Sequence, residues 1–271
     1  MSPGAVALGD LFAQARSEQR AVLVAYLPAG FPTEQGGVAA LRAMVEAGVD
    51  AVEVGLPYSD PLMDGPTIQQ AVDVALAGGT TTPAVLRTVQ QVAALGVPTL
   101  TMTYWNPVER YGPERFAADL AAAGGCGAIT PDLTPEEAGE WLAASETAGL
   151  APVFLVAPTS SPDRIAAVAR VTRGFIYAAS LMGVTGARES VGHLAAGLVE
   201  RVRAETDLPV GVGLGVSTGA QAREVAAYAD GVIVGSAFVR RLLDAPDPDA
   251  GVASVRALAA ELAEGVRGAS R

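Results

Sequence analysis

Apolar residues gather in short runs that recur along the chain: AVLVAYL (21–27), AVEVGL (51–56), TLTMTY (99–104), GAIT (127–130), PVFLVA (152–157), FIYAAS (175–180), PVGVGL (209–214) and GVIVGS (231–236). Between them the apolar positions spread to helical spacing, as in 33–48, 81–96, 134–149 and 217–229. Thr33 and Thr134 stand where helix N-caps belong, with Gln35, or Glu136 and Glu137, in the first turn. The pattern predicts eight strands alternating with helices.

Strands that are apolar along nearly their whole length are buried on both faces, as in a parallel sheet covered by helices. Eight such units in about 250 residues fit a closed (β/α)8 TIM barrel, with a doubly wound open sheet as the alternative. The opening VALGDLFAQARSEQ predicts an extra N-terminal helix that covers the barrel floor. The loop DAPDPDAG (244–251) joins a short eighth helix to a further helix at the C-terminal end. No linker divides the sequence, so residues 1–271 are expected to form a single barrel domain.

The apolar pattern is broken at VEVGLPYSDPLMDGP (52–66), where Glu53 lies inside a strand and Asp64 on the loop beyond it. Barrels place their chemistry at the C-terminal ends of the strands, and both acids fall there. A buried carboxylate is costly unless paired, and burial raises its pKa toward the range useful for proton transfer. The alternative for Glu53 is a structural salt bridge to arginine. Asp60, before Pro61, reads equally as a turn-forming residue. Glycines cluster after the last three strands, at Gly183, Gly186, Gly213, Gly215 and Gly235, with Ser236 at a helix start. Backbone N–H groups in such loops cradle anions, as in the phosphate site of many barrels.

Composition then removes classes of chemistry. All 18 basic residues are arginine, so no amine is available for a Schiff base or an internal aldimine. One histidine, His193, and one cysteine, Cys126, are too few for an ordinary zinc site, and no metal is expected. His193 reads as a surface or packing residue, and Cys126 as a small apolar one. The net charge of −11 opposes a nucleic-acid or anionic-membrane partner. No charge-free run approaches the roughly 20 residues of a membrane span, and the N-terminus lacks a signal-peptide order, so a cytoplasmic protein is expected.

Five stretches, VEVGLPYSDPLMDGPTIQ, PDLTPEE, FIYAASLMGVTGARE, VGVGLGVST and ADGVIVGSAFV, together resemble the tryptophan synthase alpha subunit, from about residue 7 to residue 243. The resemblance implies retro-aldol cleavage of indole-3-glycerol phosphate to indole and D-glyceraldehyde 3-phosphate. It also implies an α2β2 heterotetramer with a beta subunit, which alone holds pyridoxal phosphate, so that no cofactor belongs to this chain. Glu53 and Asp64 align with the catalytic pair, and Tyr177 with a residue beside the substrate. Gly186, Gly215, Gly235 and Ser236 align with phosphate contacts, and Thr185 with a mobile lid over roughly residues 181–193. Tyr26, Met102, Ile129, Leu155, Leu214 and Ile233 would wall the indole pocket, a role their chemistry shares with ordinary barrel packing. Asp60, Pro61 and Asn106, with Pro107 and the PDLTPEE loop, correspond to the surface that meets the beta subunit. The sequence departs from the family in LPAGFP, where Phe31 replaces a frequent aspartate. A stand-alone lyase, a weakly active regulatory subunit and another phosphate-binding barrel are the rival readings.

Overall fold

A computed structural model describes residues 3–179, 188–213 and 215–269, with the side chains of 188–193 outside that description. Helix α1 (Pro3–Ser17) precedes β1 (Val22–Pro28), α2 (Glu34–Glu46), β2 (Ala51–Gly55), α3 (Pro66–Ala77), α4 (Thr82–Ala93) and β3 (Thr99–Met102). There follow α5 (Trp105–Tyr111), α6 (Pro113–Ala122), β4 (Gly127–Ile129), α7 (Gly139–Ala148), β5 (Ala151–Val153), β6 (Leu155–Val156), α8 (Pro162–Val171) and β7 (Ile176–Ala179). The remainder is α9 (Arg188–Glu205), β8 (Val210–Gly213), α10 (Gly219–Ala226), β9 (Gly231–Val234), α11 (Ser236–Leu243) and α12 (Pro248–Arg267).

Every strand pair is parallel, in the order β5-β4-β3-β2-β1-β9-β8-β7-β6. The two ends of that order are consecutive in the chain, so the nearly closed barrel is completed through Phe154, the residue between β5 and β6. Thr130 N–H reaches Val153 O at 3.3 Å on one side, and Tyr177 N–H reaches Phe154 O at 3.2 Å on the other. The expected fifth strand is therefore two short ones. One run must bend to pair with both neighbours, and periodicity carries no mark of such a bend.

The period of two sorts the side chains. Leu23, Ala25, Leu27, Val52 and Val54 face outward into the layer beneath the helices. Val22, Val24, Ala51, Leu100, Ile129, Val153, Phe175 and Ile233 fill the interior together with Leu8 and Phe12 of α1. Helix α1 thus closes the barrel floor as expected, with the Phe12 and Phe175 rings 5.5 Å apart. Gly4 lets α1 lie close, because a Cβ there would come within 1.8 Å of the Cys126 carbonyl oxygen. Cys126 is buried, and burial pushes its thiol up to about 12, as suits a packing residue. Phe31 is buried in the outer layer.

Thr33 caps α2, its hydroxyl accepting the Gly36 N–H at 3.0 Å, a contact worth about 1 kcal/mol. Thr134 is not a cap. Its hydroxyl donates to Glu137 at 2.9 Å within a turn, and α7 begins later, at Gly139. The loop expected over 244–251 is shorter in the structure: Asp247 caps α12 through the Ala250 N–H at 2.8 Å, and Pro248 already opens the helix. Among the described residues no helix is long and apolar enough to cross a membrane.

Candidate active site

Glu53 is the central residue of β2, beside Tyr26 of β1 and Leu100 of β3 in the sheet register. The strand alternation that sends Val52 and Val54 outward turns Glu53 into the barrel, where it is completely buried. Neither carboxylate oxygen has a hydrogen-bond partner among the described residues. The ion pairs of the described residues join arginines to Glu18, Glu34, Glu46, Asp50, Asp119, Glu136 and Asp230, and Glu53 is in none of them. Among the described residues nothing supports the salt-bridge reading of Glu53. Burial pushes the carboxyl up to about 8.

Glu53 opens onto a cavity of about 220 Å³ at the C-terminal mouth of the barrel. Of the expected site residues, Tyr26, Asp64, Met102, Tyr177, Gly215, Ile233, Gly235 and Ser236 share its wall with Glu53. Ile129 and Leu155 do not. They pack in the barrel interior among the floor residues. Thr185, Gly186, Leu214 and the greater part of the expected lid lie outside the described residues, as do Gly183 and the His193 side chain.

Glycines on inward positions make room for the two tyrosines. A Cβ on Gly55 would lie 2.4 Å from the Tyr26 hydroxyl oxygen, and one on Gly213 would lie 2.5 Å from that of Tyr177. Burial pushes both phenols well above their ordinary pKa; the Asp64 and Glu53 carboxylates reinforce this at Tyr26, and Glu53 does so at Tyr177. Both tyrosines are therefore neutral hydrogen-bonding groups at physiological pH.

Asp64 stands on the loop between β2 and α3, half-buried. Burial raises its pKa, and a hydrogen bond from Tyr104 opposes the rise. The Gln69 amide donates to the Asp64 carbonyl at 2.7 Å, which ties the loop to the first turn of α3. On the opposite wall Gly215 has φ 67°, the left-handed conformation that glycine adopts without strain. Gly235 and Ser236 form the start of α11, whose first N–H groups have no intrahelical acceptor. A phosphate fits such donors without a lysine. Asp60 and Asn106 are exposed and Pro61 is partly so; Asp60 accepts the Ser59 hydroxyl at 2.6 Å.

Met63, Ile68 and Tyr104 were missed. Met63 and Ile68 line the cavity, and the Tyr104 hydroxyl accepts the Met63 N–H at 3.0 Å. Loop residues carry no period, and only the aromatic pair in TYWNP hinted at Tyr104. Among the described residues no three His, Cys, Asp or Glu side chains converge as a metal site.

A family model for the tryptophan synthase alpha chain matches residues 12–267. The tryptophan synthase alpha chain of Streptomyces coelicolor is 60% identical over 269 residues, 99% of either chain. That of Salinispora tropica is 62% identical over 260 residues, 96% of this chain and 97% of its own. A crystal structure of tryptophan synthase from M. tuberculosis, in an open form, matches with a TM-score of 0.88 at 52% identity, covering 96% of this chain and 98% of that one. Sequence order, barrel and identity over nearly the whole length agree: the chain belongs to the tryptophan synthase alpha chain family.

Proposed function

We propose that Glu53 and Asp64 carry out the reaction of this family, the cleavage of indole-3-glycerol phosphate to indole and D-glyceraldehyde 3-phosphate. The observation that carries the assignment is the fully buried Glu53, without a hydrogen-bond partner among the described residues, which burial keeps protonated at neutral pH. The bond to be broken joins indole C3 to the hydroxyl-bearing carbon of the glycerol chain. Glu53 donates its proton to C3, leaving an iminium at the ring nitrogen. Asp64, as carboxylate, accepts the ring N–H and stabilises that positive charge. The C3–carbon bond then breaks, its electron pair returning to the ring, while the adjacent hydroxyl gives its proton to Glu53 and becomes the aldehyde. The proton count closes and nothing is oxidised. The indole ring is itself the electron sink, so neither a lysine imine nor a cofactor is required.

The apolar wall of Met63, Ile68, Met102 and Ile233 suits the indole ring. Gly215, Gly235 and Ser236, with Thr185 and Gly186 by resemblance, would hold the phosphate. Tyr26 and Tyr177 present hydroxyls beside Glu53. Asp60, Pro61 and Asn106 are assigned to the contact with a beta subunit in an α2β2 assembly. The loop bearing Asp60 also exposes Leu62, at 75%, an apolar residue suited to such a contact. Pyridoxal phosphate belongs to that partner. A cytoplasmic location and one barrel domain complete the reading.

Indole release from indole-3-glycerol phosphate, measured with and without a beta subunit, tests the assignment. Activity that rises with the partner and collapses in Glu53→Gln and Asp64→Asn is expected. High activity without a partner would point to a stand-alone lyase, and full activity in either variant would remove that residue from the pair.

A further inference from the structure

Two parts of the cavity wall belong to neighbouring helices. Met63, Asp64 and Ile68 come from the loop after β2 and the first turn of α3, and Gly235 and Ser236 stand where α11 begins. Helices α3 and α11 are in contact. One turn beyond Ser236, the Arg240 guanidinium donates to the Thr67 hydroxyl at 2.5 Å, joining residues 173 positions apart. Among the described residues this is the sole side-chain hydrogen bond between the segment 57–77 and α11. The guanidinium takes part in none of the ion pairs of the described residues.

The start of α3 needs such an anchor. Its buried residues, Ala71, Val72 and Ala75, begin only beyond the first turn, and Gly65 at the N-cap has no side chain with which to cap it. The loop is fastened toward β3 by the Met63 N–H, which the Tyr104 hydroxyl accepts at 3.0 Å. Toward α11 the first turn is held by Arg240. The Gln69 amide ties the Asp64 carbonyl to that same turn at 2.7 Å, so a shift of the turn carries Asp64 with it. A charged donor makes the bond to Thr67 stronger than a neutral pair would be.

We propose that Arg240 is a positioning residue for the cleavage: by holding Thr67 it fixes the spacing between the phosphate cradle at the start of α11 and the carboxylate of Asp64. The proposal rests on the roles assigned above to Gly235, Ser236 and Asp64. A substrate gripped at its phosphate by one helix and at its ring nitrogen by the loop before the other is aligned only if the two grips stand at the right separation. A misplacement of about 1 Å is enough to slow such a reaction severely. Binding energy from the phosphate, remote from the bond that breaks, then lowers the barrier by aligning the ring with Asp64. Arg240 is not among the residues that line the cavity, so it acts through Thr67 and the first turn of α3.

The test uses Thr67→Val, which keeps the side-chain shape and the charge of Arg240, and Arg240→Met, which keeps an apolar stem, each assayed as the complex with a beta subunit. With indole-3-glycerol phosphate each should lose roughly 3- to 10-fold in kcat with KM little changed, and the double variant should lose no more than either alone. With the phosphate-free substrate, indole-3-glycerol, the variants should match the wild type, because only a substrate held at its phosphate depends on the spacing. Thr67→Ser, which keeps the acceptor, should retain the wild-type kcat. An unchanged kcat in Thr67→Val, additive losses in the double variant, or equal losses on both substrates overturn the proposal. So does weaker competitive inhibition by inorganic phosphate in Thr67→Val, which would make the bond part of the phosphate site itself. A wild-type complex that cleaves both substrates equally well would instead overturn the phosphate assignment, and full activity in Asp64→Asn the role of Asp64; the proposal falls with either.

Discussion

Replacing Glu53 by Gln preserves the shape of the side chain and abolishes its proton equilibrium. In the unfolded chain this carboxyl titrates near 4.5, and in the fold near 8. Because the folded pKa is the higher one, the folded state keeps a proton that the unfolded state has released between those values. Stability from this group is therefore full below about pH 4.5 and falls by roughly 1.4 kcal/mol per pH unit up to about pH 8, levelling off above that. From about pH 5 to about pH 8 the loss integrates to roughly 3.5 kcal/mol, which the Gln variant escapes. Both side chains leave buried polar atoms without partners, so that cost largely cancels in the comparison. Urea unfolding followed by far-ultraviolet circular dichroism should show the variant gaining on the wild type by that amount across the range. Near pH 6.5, unfolding of the wild type should release about one proton more than unfolding of the variant. A stability gap independent of pH, or one that closes as pH rises, would refute the reasoning.

Three further outcomes follow from the same geometry. Since Glu53 must carry a proton in order to donate it, kcat/KM for indole release should fall as pH rises through about 8, and a flat profile between neutrality and that point would contradict the assigned role. Gly213→Ala should lower the unfolding free energy by roughly 1–3 kcal/mol, because its Cβ would meet the Tyr177 hydroxyl oxygen at 2.5 Å; adding Tyr177→Phe should recover part of the loss in thermal melts. Phe12→Ala should cost roughly 3–5 kcal/mol by emptying the barrel floor against Phe175, with kcat for the remaining folded protein unchanged at low temperature.

The barrel was legible because its signal is repeated. Each strand is an apolar run, each helix has its own period, and errors at one element do not propagate to the next. Glu53 was legible for the opposite reason: a single charge inside an apolar strand contradicts the pattern around it. What the sequence withheld depends on where loops come to rest. Thr134 had the residue type of a cap, but its hydroxyl was captured by Glu137 and the helix began later. Ile129 and Leu155 had the chemistry of pocket walls, but they are not among the residues that line the cavity. Met63 is a loop methionine with no periodic partner; it lines the cavity, and a tyrosine hydroxyl 41 positions away accepts its backbone N–H.

The placement of the described arginines explains how Glu53 lies without an ion pair among the described residues. At the N-terminal ends of the strands, carboxylates are neutralised. Asp50 accepts the Leu23 N–H at 2.8 Å and pairs with Arg20 at 2.9 Å, and Asp230 accepts the Val210 N–H at 3.0 Å and pairs with Arg203 at 3.3 Å. Those acids do structural work. At the C-terminal ends, neither Glu53 nor Asp64 takes part in any of the ion pairs among the described residues. An arginine placed there would favour the charged form of Glu53 and take away the proton that the cleavage needs. The stability lost by burying Glu53 without a partner is thus inseparable from its usefulness as an acid at neutral pH.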